Sequence, residues 1–313
     1  MTYLEKKKIG KEVYFYLVKN VRLNGNFKKF RIYIGKGKIN KEELQKLKLK
    51  YTKILDGRIR TYLISKDPLL KLLSDEQIKD LEKVKELYKK SYAGLPEEVK
   101  TKHHEDFLIR FTYDTNAIEG STVTLNETKL ILLDKIAPPN RTLREVREIE
   151  NHEKAFGYVF NYKNDISKQF ILKIHRILTN NILPTDRSGK FRKVQVMITG
   201  AEIIPPKPEF VEKEIKQLIK WYNKYKRKYH PIILASYFHS AFEGIHPFVD
   251  FNGRTGRLLL NFILMKHDYP VIDVKYKDRL KYYEALEKVQ KSNLKPFVNL
   301  VVKYLREELS RVK

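Results

Sequence analysis

The sequence predicts a mainly α protein with a small basic, β-hairpin-containing region at its N-terminus and one further β-hairpin inside the helical part. Three observations predict it. From residue 67 onward, apolar residues recur mostly at i, i+3, i+4 spacing, the signature of helices with one buried face. Residues 12–18 (EVYFYLV) and 27–34 (FKKFRIYI) are instead β-rich and flank Asn24-Gly25-Asn26, a hairpin signal. In 187–206 the period changes: Val194, Val196 and Ile198 alternate, Gly200 turns, and Ile203-Ile204 return before Pro205-Pro206.

The totals narrow the class. A chain of 313 residues holds one large domain and a small one, and three segments are expected: 1–66, a helical connector over 67–104, and a domain over 105–313. With no cysteine, disulfides, thiolate zinc sites and a cysteine nucleophile are excluded. No stretch reaches the roughly 18 apolar residues of a membrane span, and no signal peptide is evident. A cytoplasmic protein with no membrane partner is the expectation. The net charge is +26, and residues 1–66 carry 19 Lys+Arg against 5 Asp+Glu, a surplus of 14. Nucleic-acid contact by the basic N-terminal region and a lysine-rich surface serving solubility explain this equally well.

In order, Lys28, Lys29 and Arg31 give the first hairpin a basic, aromatic face, and residues 41–55 read as a short helix. Residues 75–90 form a helix with i,i+4 charge pairs, broken by Gly94-Leu95-Pro96. Phe107, Ile109, Phe111 and Ile118 make 105–120 a packed helix with Gly120 placed as its C-cap. Residues 124–136 and 143–161 are amphipathic, with Asn126 and Thr142 as candidate N-caps; only Thr142, with Glu145, completes a capping box. In 170–180 the apolar face is Phe170, Ile171, Ile174, Ile177 and Leu178, which turns His175 toward solvent. Helices follow at 209–225, with the only tryptophan, Trp221, on its apolar side, at 276–291, and at 296–309.

The chemistry concentrates in residues 246–257, HPFVDFNGRTGR. Residues 232–242 are an apolar run long enough for a buried helix, with Pro231 at its first position. Pro247 biases His246 away from helix, so that helix ends near Gly244. Residues 254–266 read as a second helix. Gly253, Arg254 and Arg257 therefore meet at a helix N-terminus, where free N–H groups and guanidinium groups suit a phosphate chain. The helix dipole disfavours cations there by about 0.3–1 kcal/mol, so two arginines call for an anion. Asp250 suits Mg²⁺, which takes one or two carboxylates plus substrate phosphates. His246 is then a general-base candidate.

This stretch resembles the signature of Fic-domain proteins, His-x-Phe-x-Asp/Glu-Gly-Asn-Gly-Arg-x-x-Arg. Thr115-Asn-Ala-Ile-Glu119-Gly120 resembles the family's inhibitory motif, in the upstream position of members with an N-terminal inhibitory helix. The resemblance implies a Fic-type helical domain that transfers AMP from ATP to a protein hydroxyl. His246 would be the base and Asp250 the Mg²⁺ ligand. Asn252, Gly253 and Arg254 would form the anion hole, and Arg257 would seat the γ-phosphate unless Glu119 engages it. It also implies a flap at 194–206 holding a target protein, Tyr282 and Tyr283 beside the adenine, and helical homodimers. Phe251 stands where the family has its first glycine; a phosphate-directed N–H there calls for a φ that is not positive. Three other readings compete: AMP removal or another phosphate-group transfer by the same site, a DNA-binding regulator with a nucleotide-sensing domain, and, last, a metal hydrolase using His239, His246 and Asp250.

Overall fold

The computed structural model describes residues 2–23, 26–37, 39–198 and 204–312, and the chain forms two compact units, Met1–Lys71 and Leu72–Lys313. The expected Asn24-Gly25 turn lies outside the described residues. In the first unit, β1 (Thr2–Ile9), β2 (Glu12–Leu23) and β3 (Asn26–Lys36) form an antiparallel sheet in that order. β1 was not expected, because Lys6-Lys7-Lys8 interrupts its alternation. α1 spans Lys41–Lys66 and is longer than the 15 residues expected. Leu55 and Ile59 lie one turn apart on either side of Gly57, and both pack under Phe15, Leu17, Ile32 and Ile34. That burial outweighs the roughly 1 kcal/mol that a helical glycine costs. The helix stops at Asp67, whose extended backbone (φ −134°) is the conformation a following proline requires.

The second unit is helical among its described residues: α2 (Asp75–Ala93), α3 (Glu97–Ile118), α4 (Leu125–Lys129), α5 (Leu143–Asn161), α6 (Lys168–Leu178), α7 (Pro208–Tyr225), α8 (Pro231–Ile245), α9 (Asn252–Met265), α10 (Arg279–Gln290) and α11 (Lys295–Arg311). Of the 67–104 segment expected to be a connector, residues 72–104 belong to this unit and 67–71 to the first. Val84 of α2 packs on Leu309 and Val312, and Tyr269 donates a 2.7 Å hydrogen bond to Glu82. α4 is capped by Thr124 with Glu127, not by Asn126, and passes at Leu130–Asp134 into a π-type turn ended by Lys135 at φ 56°. Thr142 and Glu145 cap α5 as expected.

α8 and α9 are the centre of the unit. Leu234, Ala235, Phe238 and Phe242 of α8 are fully buried, each Leu or Phe contributing roughly 1.5–3 kcal/mol. Every residue of α9 from Asn252 to Leu264 is buried, including Arg254 and Arg257. A buried guanidinium needs fixed partners, and α3, α5 and α10 supply them. Among the described residues, no helix is long and apolar enough to cross a membrane.

Candidate active site

The loop between α8 and α9 begins with His246, which takes a left-handed conformation (φ 49°) as the C-cap of α8. Its N–H donates to Phe242 O at 3.0 Å, and Pro247 prevents the helix from continuing. Nδ1 lies 3.4 Å from Glu243 O, so the Nδ1–H tautomer leaves Nε2 as the basic nitrogen. Burial lowers the imidazole pKa, and the Glu243 carbonyl only partly counters this. His246 is therefore neutral near pH 7, as a proton acceptor must be.

Arg257, 1% exposed, lies one turn into α9 and is held by three residues, two at the end of α3 and one on α10. Nε donates to Thr115 Oγ1 (2.7 Å), Nη2 to Thr115 O (3.0 Å) and to Glu119 Oε1 (2.6 Å), and Nη1 to Tyr282 OH (3.4 Å). Burial alone would lower its pKa; the Glu119 charge overrides this and raises it. The Glu119 carboxylate also sits against Gly253. A Cβ built there would collide with Glu119 Oε1 and come within 2.9 Å of Arg257 Nη1. A carboxylate thus occupies the mouth of the α9 N-terminus, where the sequence called for an anion. Gly120, at φ 93°, ends the α3 turn behind it.

Arg254 points elsewhere. Its Nη1 donates to Glu148 Oε2 (2.8 Å) and Asn116 Oδ1 (2.9 Å), and its Cζ lies 3.8 Å from the Phe251 ring centroid. Asp250 accepts from Arg144 Nη2 (2.9 Å) and from the Phe251 N–H (2.7 Å). Asn252 closes the loop on itself: its side chain accepts from Phe248 N (2.9 Å) and donates to Phe248 O (3.0 Å). In this arrangement the Asn252 side chain and the Arg254 guanidinium brace the loop instead of facing outward from it.

These two helices and their loop fall inside residues 165–264, which match the Fic/DOC family. Residues 165–264 are similar to a Fic domain. The chain is 35% identical to the protein adenylyltransferase Fic of Nematostella vectensis over 196 residues, 61% of this chain and 45% of that protein. The chain thus spans less than half the length of that relative. Its fold is similar to that of a Fic-domain signalling protein from Bacteroides thetaiotaomicron (26% identity, TM-score 0.68, 73% of this chain and 95% of that one). It is also similar to Fic-1 from Caenorhabditis elegans (27% identity, TM-score 0.67, 84% and 76%).

Around this loop several expectations change. Phe251 has a positive φ of 63°, so the loop keeps a glycine-like backbone with a phenylalanine in it. Its N–H turns to Asp250 and not toward a ligand site. His175 is fully buried, not solvent-facing. Its ring stacks on Phe248 at 3.7 Å, Nδ1 accepts from Gly189 N (2.9 Å), and Nε2 donates to Asp250 O (3.2 Å). Burial depresses its pKa to about 4, consistent with this neutral structural role. Tyr282 is 1% exposed and bonds His239 Nε2 (2.9 Å) behind Arg257, so it positions the guanidinium and does not line an open base site. Tyr283 is 43% exposed, with its hydroxyl donating to Ile118 O (3.0 Å). The metal-hydrolase grouping does not form: His239 is committed to Tyr282, and no cluster of three His, Asp or Glu able to hold a metal occurs among the described residues.

The expected flap has no β-ladder among its described residues; residues 199–203, including the Gly200 turn, lie outside them. Val194, Met197 and Ile204 are exposed. Its base is fixed by Arg192, a residue the sequence reading passed over. Arg192 donates to His246 O (2.8 Å), Val194 O (3.0 Å) and Pro206 O (2.5 Å), joining both arms of the segment to the His246 loop. Glu148 and Arg144 were also passed over, since an i,i+4 pair on a helix looks like a solvated one. Glu243 was missed as well. Burial raises its pKa to about 8, with Arg257 opposing and Glu119 reinforcing the shift. A Cβ on Gly256 would come within 2.1 Å of Glu243 Oε1 and 3.1 Å of the His239 ring, so any larger residue there displaces the carboxylate.

Proposed function

We propose that this chain is a protein adenylyltransferase that moves AMP from ATP to a Ser, Thr or Tyr hydroxyl, restrained by its own Glu119. The observation that carries the reading is the Glu119 carboxylate lodged between Gly253 and Arg257, an anion in the place the ATP phosphates would take. Curated relatives named protein adenylyltransferase support the activity.

In this reaction His246 Nε2 accepts the proton of the target hydroxyl. The oxygen attacks the α-phosphorus, the bond to the bridging oxygen breaks, and pyrophosphate leaves. Arg257 and the α9 N–H groups neutralise charge on the phosphate chain and fix the in-line geometry. The exposed arms around Val194 and Ile204 hold an extended target segment through its main chain. Asp250 fits Mg²⁺ as a single carboxylate beside phosphates, once Arg144 releases its Oδ2. The ion would supply charge neutralisation on the phosphates.

Glu119 must leave Arg257 before a γ-phosphate can bind it. Incubation with ATP labelled at the α-phosphate should mark the wild type weakly and Glu119→Gly about tenfold or more strongly, the loss of roughly 1.4 kcal/mol of competing interaction. ADP affinity should change little, because ADP has no γ-phosphate to compete with Glu119. Equal labelling of the two proteins removes the restraint; label absent from both removes the transfer. Release of phosphate or AMP from a modified protein, with no label gained, would favour the reverse reaction.

A further inference from the structure

The first unit offers a second surface. Its strand register sorts side chains onto two faces. One face holds Phe15, Leu17, Ile32 and Ile34 and is covered by α1. Across the other run three cross-strand rows: Tyr3–Val18–Arg31, Glu5–Tyr16–Tyr33 and Lys7–Tyr14–Lys36. Each row contains a tyrosine, and each has a basic residue in it or beside it.

Tyr3 is 40% exposed and Tyr33 46%; Arg31, Lys7 and Lys36 are exposed, while Tyr14 and Tyr16 are half-buried. Three of the rings form one cluster: Tyr33 lies 5.7 Å from Tyr16 and 6.2 Å from Tyr14, and Arg31 lies 5.3 Å from the Tyr16 ring; Tyr3 stands apart on the neighbouring row. Val18, in the Tyr3–Val18–Arg31 row, is fully buried although the register turns it away from α1. Two acids share the face. Glu5 is paired with Lys29 (2.6 Å) and Glu12 with Lys36 (3.8 Å).

A sheet that needs only solubility would place lysine and glutamate here. Exposed aromatic rings among cations are a surface on which unpaired bases stack, one ring at a time, while the backbone meets positive charge. The surplus of 14 positive charges in residues 1–66 complements a polyanion. A duplex fits less well. Its bases are already stacked, and its major groove, about 12 Å wide, admits a helix or a two-stranded ribbon more readily than three strands bearing tyrosines. We propose that this sheet face binds single-stranded nucleic acid, with bases on Tyr3 and Tyr33 and phosphates beside Arg31, Lys7 and Lys36.

The test uses the full chain and fluorescence anisotropy with labelled 20-nucleotide single strands of DNA and of RNA, and a duplex of the same length. Single strands should bind more tightly than duplex, with a logarithmic salt slope of about −0.7 per phosphate contacted. Preference between the DNA and RNA arms identifies the source. Tyr33→Leu, which keeps bulk and removes the stacking face, should weaken binding about tenfold or more, whereas Tyr33→Phe should bind like the wild type. Arg31→Ala should weaken binding and lower the salt slope. Replacing the exposed α1 lysines Lys46 and Lys48 by Ala should change affinity less than Tyr33→Leu does. No binding at low salt, tighter binding of duplex, wild-type affinity in both Tyr33→Leu and Arg31→Ala, or an equal loss on changing α1 each overturns the proposal. If Tyr33→Leu unfolds the unit, Tyr33→Phe and Arg31→Ala still decide.

Discussion

The guanidinium of Arg254 lies over the ring of Phe251, with Cζ 3.8 Å from the centroid, and the phenylalanine holds this place from a backbone at φ 63°. The stack and the 2% exposure of the ring stabilise the loop. Removing such a side chain costs about 3–5 kcal/mol, while glycine relieves roughly 1 kcal/mol of left-handed strain. Phe251→Gly should therefore lower the unfolding free energy by about 2–4 kcal/mol, read from urea denaturation. A variant as stable as the wild type would mean that the stack contributes nothing.

Glu119 and Gly253 touch across helices, so their substitutions should not be additive. Gly253→Ala forces the Glu119 carboxylate off Arg257. Its cost should be smaller in a Glu119→Gly background, with a coupling energy of about 0.5–3 kcal/mol in a double-mutant cycle. Additive effects would place the carboxylate elsewhere in solution.

His246→Ala should remove about 10²–10⁴-fold of the transfer rate while leaving ADP affinity and thermal unfolding close to wild type. Because burial holds its pKa below the usual histidine value, the rate should stay flat as pH falls through 6.5 and drop only at lower pH. A rate that has already halved at pH 6.5 would assign the proton transfer to another group.

Glu243 makes stability pH-dependent. Its folded pKa of about 8 lies above the ordinary carboxylate value, so the unfolded chain loses this proton first as pH rises. The contribution is fully present below pH 4.5 and lost progressively up to about pH 8. Glu243→Gln cannot ionise. Its stability relative to wild type should grow across that window by about 2–4 kcal/mol and level off above it. A constant difference from pH 5 to 9 would show that Glu243 is ionised in the native state.

The helices and the loop chemistry were legible because their signals are local. Apolar spacing sets α5–α8, Pro247 ends α8, and Arg254 with Arg257 at a helix start marks an anion site. The Glu119–Arg257 contact was legible only through the motif, since its partners are 138 residues apart. What escaped was set by packing. His175 lies on the flank of the α6 stripe, one turn from both Ile171 and Leu178, and Phe248 and Gly189 close over it there. Arg192 sits in an alternating stretch and gives no sign of gripping three carbonyls. Lys6-Lys7-Lys8 hid β1, which pairs through its main chain whatever its side chains are.

Glu119 and Arg257 belong to one folded unit of one chain. Closing their contact is a first-order event, with no dependence on how much protein is present. Dilution will not open it, and crowding with further copies will not by itself tighten it. What can shift the balance is a solute competing for the guanidinium, or a force on α3, whose end is tied to α10 through Tyr283 and Ile118. In a titration, the midpoint for nucleotide should therefore stay fixed as protein concentration varies and move with the concentration of a competing anion.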